Sequence, residues 1–225
     1  MPAFDEVPDL RRPVHGETVS GSGFVKPTPL ALEGQYVRLG RVDVDADAAE
    51  LFACGHAGDA EALWRFMPYG PFASQEQMAA WLAACAASAD PLWLVAWTKP
   101  GRSAVGMAAF MNVRDDVGVA EIGHIWLGPA HQRTREATEA LFLMMDHVLT
   151  GCRYRRLEWK CDALNARSRR AARRLGFRYE GTFYNHGIVK GRNRDTAWFA
   201  ILESEWAPLR DRLLAWLDPA NFNAN

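Results

Sequence analysis

A chain of 225 residues with 49% hydrophobic content is long enough to bury a full core within one domain. Its net charge of −1 marks neither a wholly basic nucleic-acid binder nor an acidic tail protein, and no window approaches the roughly 18 to 20 uncharged apolar residues of a membrane span. Cys54, Cys85, Cys152 and Cys161 show no C-x-x-C spacing and no His at metal-ligand distance, which argues against a zinc site or a disulfide framework.

Residues 1–33 are rich in Pro, Gly and Ser without sustained periodicity and read as an extended arm. The N-terminal stretch MPAFDEVPDLRRPVHGE lacks the apolar region of a signal peptide, so a cytoplasmic location is expected. Gln35 to Arg41 alternates like a half-buried strand. A helix with an Asp cap is predicted from Asp45 to about Gly55, followed by a loop holding Trp64, Phe66, Met67, Pro68, Tyr69 and Phe72. That loop reads equally as core packing or as a wall for an acceptor. Ser74, with Gln77 three residues on, opens a second helix whose Met78, Trp81, Leu82 and Cys85 share a face.

Leu92–Trp97, Ala104–Asn112 and Val119–Leu127 then read as three strands joined by Pro-Gly and Asp-Asp turns. The third runs into Gln132, Arg133, Thr134, Arg135, Glu136, Ala137 and Thr138, the start of a helix ending at Gly151. A strand that delivers a polar loop into a helix N-terminus gathers free N–H groups and the positive end of a helix dipole, which suits a phosphate. Arg133 and Arg135 add guanidinium forks to that point. Leu157–Cys161 is a strand, Asn165 caps a helix that stops at Gly176, and strands follow near Arg178–Tyr184 and Thr196–Leu202. Asn185-His186 and Arg192–Asp195 are polar pieces near strand ends, where a structural ion pair of Asp195 with Arg194 is expected ahead of a catalytic role. A last helix, Ser204–Leu217, carries Trp206, Leu209, Leu213 and Trp216 for packing or an oligomer contact.

Charge is unevenly placed. Between Gly151 and Ala200 stand thirteen Lys/Arg against four Asp/Glu, while Val42 to Asp90 is acidic. Such halves suit a polyanionic cofactor and an amine, and the run Arg167, Arg169, Arg170, Arg173, Arg174 also fits a solvated helix face or an RNA contact.

Three pieces, GHIWLGPAHQRTREATEALFLMM, YRRLEWKCDALNARSRRAARRLGFRYEGTF and VKGRNRDTAWFAILESEW, cover about half the chain. In order and spacing the region from Gly34 to Trp206 resembles the GNAT superfamily of acyl-CoA N-acyltransferases, in particular the branch of ribosomal-protein N-terminal acetyltransferases. The resemblance implies an α/β (α+β) fold with a central mixed, mostly antiparallel sheet flanked by helices in a single domain over residues 34–206, with a C-terminal helical extension over 207–225. It further implies acetyl-CoA as co-substrate, no metal, an amine acceptor, no membrane or nucleic-acid partner, and a homodimer. The family loop, Gln/Arg-x-x-Gly-x-Gly/Ala, maps onto residues 132–137, with Arg135 where the middle glycine stands and the small residue kept as Ala137. Arg135 is tolerable there only if it already has helical φ/ψ.

The tyrosine that many of these enzymes use as acid for the departing thiolate falls at Ala172 here. The resembling branch places a Ser near the sulfur in an Asn-x-x-Ser helix start, matched by Asn165 and Ser168. The Ile125, Trp126 and Leu127 backbone is implied to pair with pantetheine. Arg170 or Arg173 is expected at a CoA phosphate. For a base, Glu121 leads and His124 follows, and alternation forbids both from facing one cleft unless a bulge intervenes. An amine with a pKa near 8 retains a neutral fraction at pH 7 to 8, so no dedicated base is required. An acyl-CoA-binding protein without turnover and an RNA-associated basic module are the alternatives.

Overall fold

The computed structural model describes residues 18–19, 23–28 and 31–222. Most of the expected N-terminal arm lies outside the described residues. Within it, Phe24 packs edge-on against Tyr154 with ring centroids 5.9 Å apart. Ala31–Glu33 is not arm but a strand, β1, paired with β2 (Val37–Arg41).

Three helices follow: α1 (Val44–His56), a short α2 (Ala60–Trp64) inside the expected loop, and α3 (Gln75–Ala87). Asp43 and Ser74 cap α1 and α3 by accepting the N–H of Ala46 and Gln77. Gln77 in turn accepts from Ala73 N, one residue outside the cap. The meander is β3 (Leu92–Thr98), β4 (Ala104–Arg114) and β5 (Val119–Leu127). Then come α4 (Arg135–Asp146), β6 (Arg156–Asp162), α5 (Ala166–Arg174), β7 (Arg178–Val189), β8 (Arg192–Leu202) and α6 (Glu203–Leu217). Helix α4 leaves through one π-helical turn, His147–Gly151, and α5 stops at Gly176, whose φ of +96° only glycine adopts at low cost.

All eight strands form one sheet in the order β1-β2-β3-β4-β5-β6-β8-β7, antiparallel throughout except for β5 with β6. This mixed, mostly antiparallel sheet flanked by helices is the expected fold. Strands β7 and β8 are longer than their apolar residues suggested, because Asn185-His186 and Arg192–Asp195 lie inside a hairpin turned at Lys190-Gly191.

One sheet face carries Leu94, Phe110, Ile122, Leu157 and Phe199, which form a core with Met144 of α4 beneath α4, α5 and α6. The other packs Trp93, Val95, Met107 and Trp126 against α1–α3. Helix α4 is locked to β2 by Glu139, a buried carboxylate that accepts the N–H groups of Gln35, Tyr36 and Val37 at 2.7, 2.6 and 2.8 Å. Among the described residues no helix is long and apolar enough to cross a membrane.

Candidate active site

Strands β5 and β6 pair at only three positions, Val119 with Arg156, Ala120 with Leu157 and Glu121 with Glu158. Beyond Glu121 they diverge, so the β5 edge from Ile122 to Leu127, including Ile125 and Trp126, is not paired with β6. The opening lies between helix starts: α4 follows β5 and α5 follows β6. That is where ligand clefts form in open sheets.

At the α4 side, Thr134 is the N-cap and its hydroxyl accepts Ala137 N at 3.2 Å, while its carbonyl accepts Thr138 N. Arg135 is the first helical residue, which meets the condition for replacing glycine. The left-handed residue of the loop is instead Arg133, at φ +66°. Gln132 donates its amide to Leu127 O at 3.1 Å and braces the loop on the strand. Arg135 does not add its charge to the helix N-terminus as expected. Its guanidinium lies 4.5 Å over the Tyr36 ring and its Nε pairs with Glu136 at 3.0 Å. Glu136 folds back on its own N–H, and hydrogen bonds from that N–H, Arg135 and Thr134 outweigh burial to lower its carboxyl pKa. Arg133 remains exposed, without an ion pair among the described residues.

Helix α5 begins as its sequence predicts: Asn165 accepts Ser168 N at 3.1 Å. The Ser168 hydroxyl accepts the Trp159 indole N–H at 3.0 Å. Burial raises the neighbouring Cys161 thiol pKa, opposed by a hydrogen bond from Ser168. The arginine run is not one solvated stripe. Arg169 donates to Ala163 O, and Arg174 crosses to α4, donating to Thr138 Oγ1 at 2.9 Å. Burial lowers the Arg174 pKa. Arg174, rather than Arg170 or Arg173, is thus the member of the run seated at the first turn of α4. The sequence named the run but held no signal for which residue turns inward.

Opposite, the α1–α3 face holds both proposed bases. Met107 pairs with Trp126 and Ala109 with Gly123, two steps on β4 against three on β5, and His124 has φ +52°. This bulge brings His124 onto the face already occupied by Glu121. Glu121 is buried and its Oε2 accepts from Asn112 at 2.7 Å and Lys160 at 2.8 Å. Lys160 also pairs with Glu158 at 2.9 Å and lies 4.1 Å from the Trp198 ring centre. A 390 Å³ depression lined by Asn112, Val113, Arg114, Glu158, Lys160 and Trp198 flanks this cluster.

His124 packs between Trp93 and Tyr69, with ring centres 4.5 and 5.7 Å away, and its Nδ1 meets Tyr69 Oη at 3.3 Å. Burial first, then the Arg194 charge, pushes its pKa down to about 4, so the imidazole is neutral near pH 7. Burial pushes the Tyr69 hydroxyl well above the usual phenol range. The aromatic loop is both core and wall: Trp64 is fully buried, while Tyr69 and Phe72 are half-buried. Lys190, at the tip of the β7–β8 hairpin, donates to Trp64 O at 2.9 Å and to Gly70 O, fastening the hairpin to that wall. The expected Arg194–Asp195 pair does not form. Asp195 instead accepts from Asn185 N at 2.7 Å and the Asn193 amide at 2.9 Å.

Among the described residues no three His, Cys, Asp or Glu side chains are placed to hold a metal ion. Residues 37–178 match the family model described as an acetyltransferase (GNAT) domain. A GCN5-related N-acetyltransferase from Brucella melitensis is 42% identical, with a TM-score of 0.88 over 91% of this chain and 93% of that one. A probable acetyltransferase of the GNAT family from Chromobacterium violaceum is 38% identical, with a TM-score of 0.79 over 86% and 96%. An uncharacterized N-acetyltransferase p20 from Bacillus licheniformis is 31% identical over 46% of this chain, and the match spans 57% of that protein. The splayed strands, the helix starts on either side of them and these likenesses agree, and the chain belongs to the GNAT acetyltransferase family.

Proposed function

We propose that the protein transfers the acetyl group of acetyl-CoA directly to a primary amine, on a small molecule or a protein N-terminus. The observation that carries this reading is the divergence of β5 from β6 beyond Glu121, which leaves a strand edge unpaired between two helix starts.

Acetyl-CoA supplies the activated acyl group. The first turn of α4, residues 134–138, with Arg133 and Arg174 beside it, would take the phosphates, and Glu136 would have to swing off the helix N-terminus to admit them. The free edge around Ile125, Trp126 and Leu127 suits the pantetheine amides. Ser168, fixed by Trp159, is assigned to the departing thiolate, where a hydroxyl donates a hydrogen bond or a proton.

The amine is assigned to the His124 side. A neutral imidazole held by Tyr69 offers its other nitrogen as a hydrogen-bond partner that orients the attack. Glu121 has one oxygen committed to Lys160 and Asn112, so its role in this proposal is to hold the apex of the cleft. An amine already partly neutral at pH 7 to 8 needs no dedicated base.

The test is CoA thiol release from acetyl-CoA with a panel of amines, amino acids and short peptides with free N-termini, beside a thermal shift with CoA. Acceptor-dependent thiol release together with a CoA-induced rise in Tm is expected. No rise in Tm at saturating CoA would remove the reading.

A further inference from the structure

Arg194 is a cation without an ion-pair partner among the described residues. Its Nε has essentially no solvent exposure and no hydrogen-bond acceptor, and the side chain forms no ion pair with any described residue. A guanidinium N–H withdrawn from water is ordinarily matched by a carboxylate or a carbonyl. The other cations on this face follow that rule: Lys160 lies between Glu121 and Glu158, and Arg156 holds Glu158 and Glu180.

Carboxylates nearby in the chain are turned elsewhere. Asp195 points to the opposite side of β8 and caps Asn185 N. Asp162, across the β6–β8 ladder, accepts Leu164 N. Glu121 is neutralised by Lys160.

Position makes the vacancy informative. Arg194 shares its side of β8 with Thr196 and Trp198, the side on which Lys160 stacks and Glu121 is held. Its charge is felt at His124 on β5 and at Cys161 on β6, so it lies across the opening of the two strands. Lys190 pins the same hairpin to the aromatic wall, which fixes Arg194 relative to His124.

We infer that Arg194 binds a carboxylate carried by the acceptor a few bonds from its reactive amine, so that the acceptor class is an amino acid rather than a polyamine. This rests on the acetyltransferase reading. A guanidinium receives a carboxylate through two parallel hydrogen bonds, and a cleft built for that contact rejects an acceptor lacking it.

The experiment compares glycine, alanine and phenylalanine, each as free acid and as carboxamide, in acetyl-CoA-dependent thiol release. In parallel, the N-acetylated acid and amide of each are titrated against the full-length protein saturated with CoA. The amide amines are the less basic, so without carboxylate recognition the amides should react faster. A preference for acids in kcat/KM of at least about tenfold is expected. Arg194→Gln should abolish it by raising KM for the acids, and keep the CoA thermal shift, while Arg194→Lys restores part of the preference.

Equal use of acids and amides by the unmodified protein would overturn the proposal. So would an Arg194→Gln variant that loses CoA binding, which would place the residue on the cofactor side. Absent turnover with acid-selective binding that Arg194→Gln removes would overturn the acetyltransferase reading and leave the carboxylate site standing. Absent turnover without selective binding would overturn both.

Discussion

The Lys160 ammonium lies 2.8 Å from Glu121 Oε2, and the pair bridges β5 and β6 at the last residue where the two strands still hydrogen-bond. Beyond it the cleft opens, so this ion pair closes the apex of the site. Both side chains are largely withdrawn from water, at 13% and 5% exposure, which distinguishes the pair from a surface bridge.

Removing one partner of such a pair leaves a buried charge. Lys160→Met strands Glu121 and one side of Glu158, and is expected to cost about 3 kcal/mol. For a chain of this length that lowers Tm by roughly 6 to 12 °C. The double variant Lys160→Met/Glu121→Gln should recover part of the loss, since the stranded carboxylate is then neutral. A single variant melting within 2 °C of the parent, on the scale of ~1 kcal/mol or less, would show that the pair does not hold the apex.

His124 gives the fold an acid sensitivity with a defined sign. Its folded pKa of about 4 lies below the ordinary value of 6.5, so the unfolded chain binds the proton more readily. Its contribution to stability is therefore complete above about pH 6.5, declines as pH falls, and is gone below about pH 4. Denaturant titrations between pH 7 and 4.5 should show a steeper loss in the parent than in His124→Asn. Parallel slopes in the two proteins would contradict the assigned shift.

The parts of the fold legible in the sequence are those set by short-range rules. Ser74 and Asn165 cap helices as read, because a side-chain oxygen two or three residues ahead of an orphan N–H needs no tertiary context, and Asp43 and Thr134, not named as caps in advance, obey the same rule. The meander β3–β5 was legible from apolar runs broken by turn residues. Less legible were features that depend on a distant partner. Strict alternation separates Glu121 from His124, and only the register of β5 on β4 reveals the bulge that unites them. Arg135 reads as a phosphate ligand until Tyr36, about a hundred residues earlier, presents its ring. Short polar pieces such as Asn185-His186 and Arg192–Asp195 look like strand ends, yet they lie within the hairpin that reaches the aromatic wall.

The arginines around α4 should separate by function. Arg174→Ala and Arg133→Ala remove cations beside its first turn and are each expected to weaken CoA binding about fivefold to tenfold, with the loss shrinking as salt rises. Arg135→Ala removes a cation stacked on Tyr36, so its expected effect is on Tm, by a few degrees, with CoA affinity changed less than about twofold. Titration calorimetry with CoA at two ionic strengths reads all three. An Arg135→Ala defect in affinity larger than that of Arg174→Ala would reverse the assignment.

Ser168 and Asn165 share one helix start but are expected to fail in different ways. Asn165→Ala deletes an N-cap whose side chain accepts Ser168 N, costing about 1 kcal/mol of stability, with a small effect on turnover. Ser168→Ala leaves that cap intact and strips the Trp159 indole of its acceptor, a stability cost of about 1 to 3 kcal/mol. If the hydroxyl also serves the departing thiolate, kcat falls by about a hundredfold or more while the KM for acetyl-CoA is little changed. Ser168→Thr keeps the hydroxyl and should retain more activity than Ser168→Ala at comparable Tm. Equal kcat in Ser168→Ala and the parent would confine Ser168 to tying α5 to Trp159 on β6.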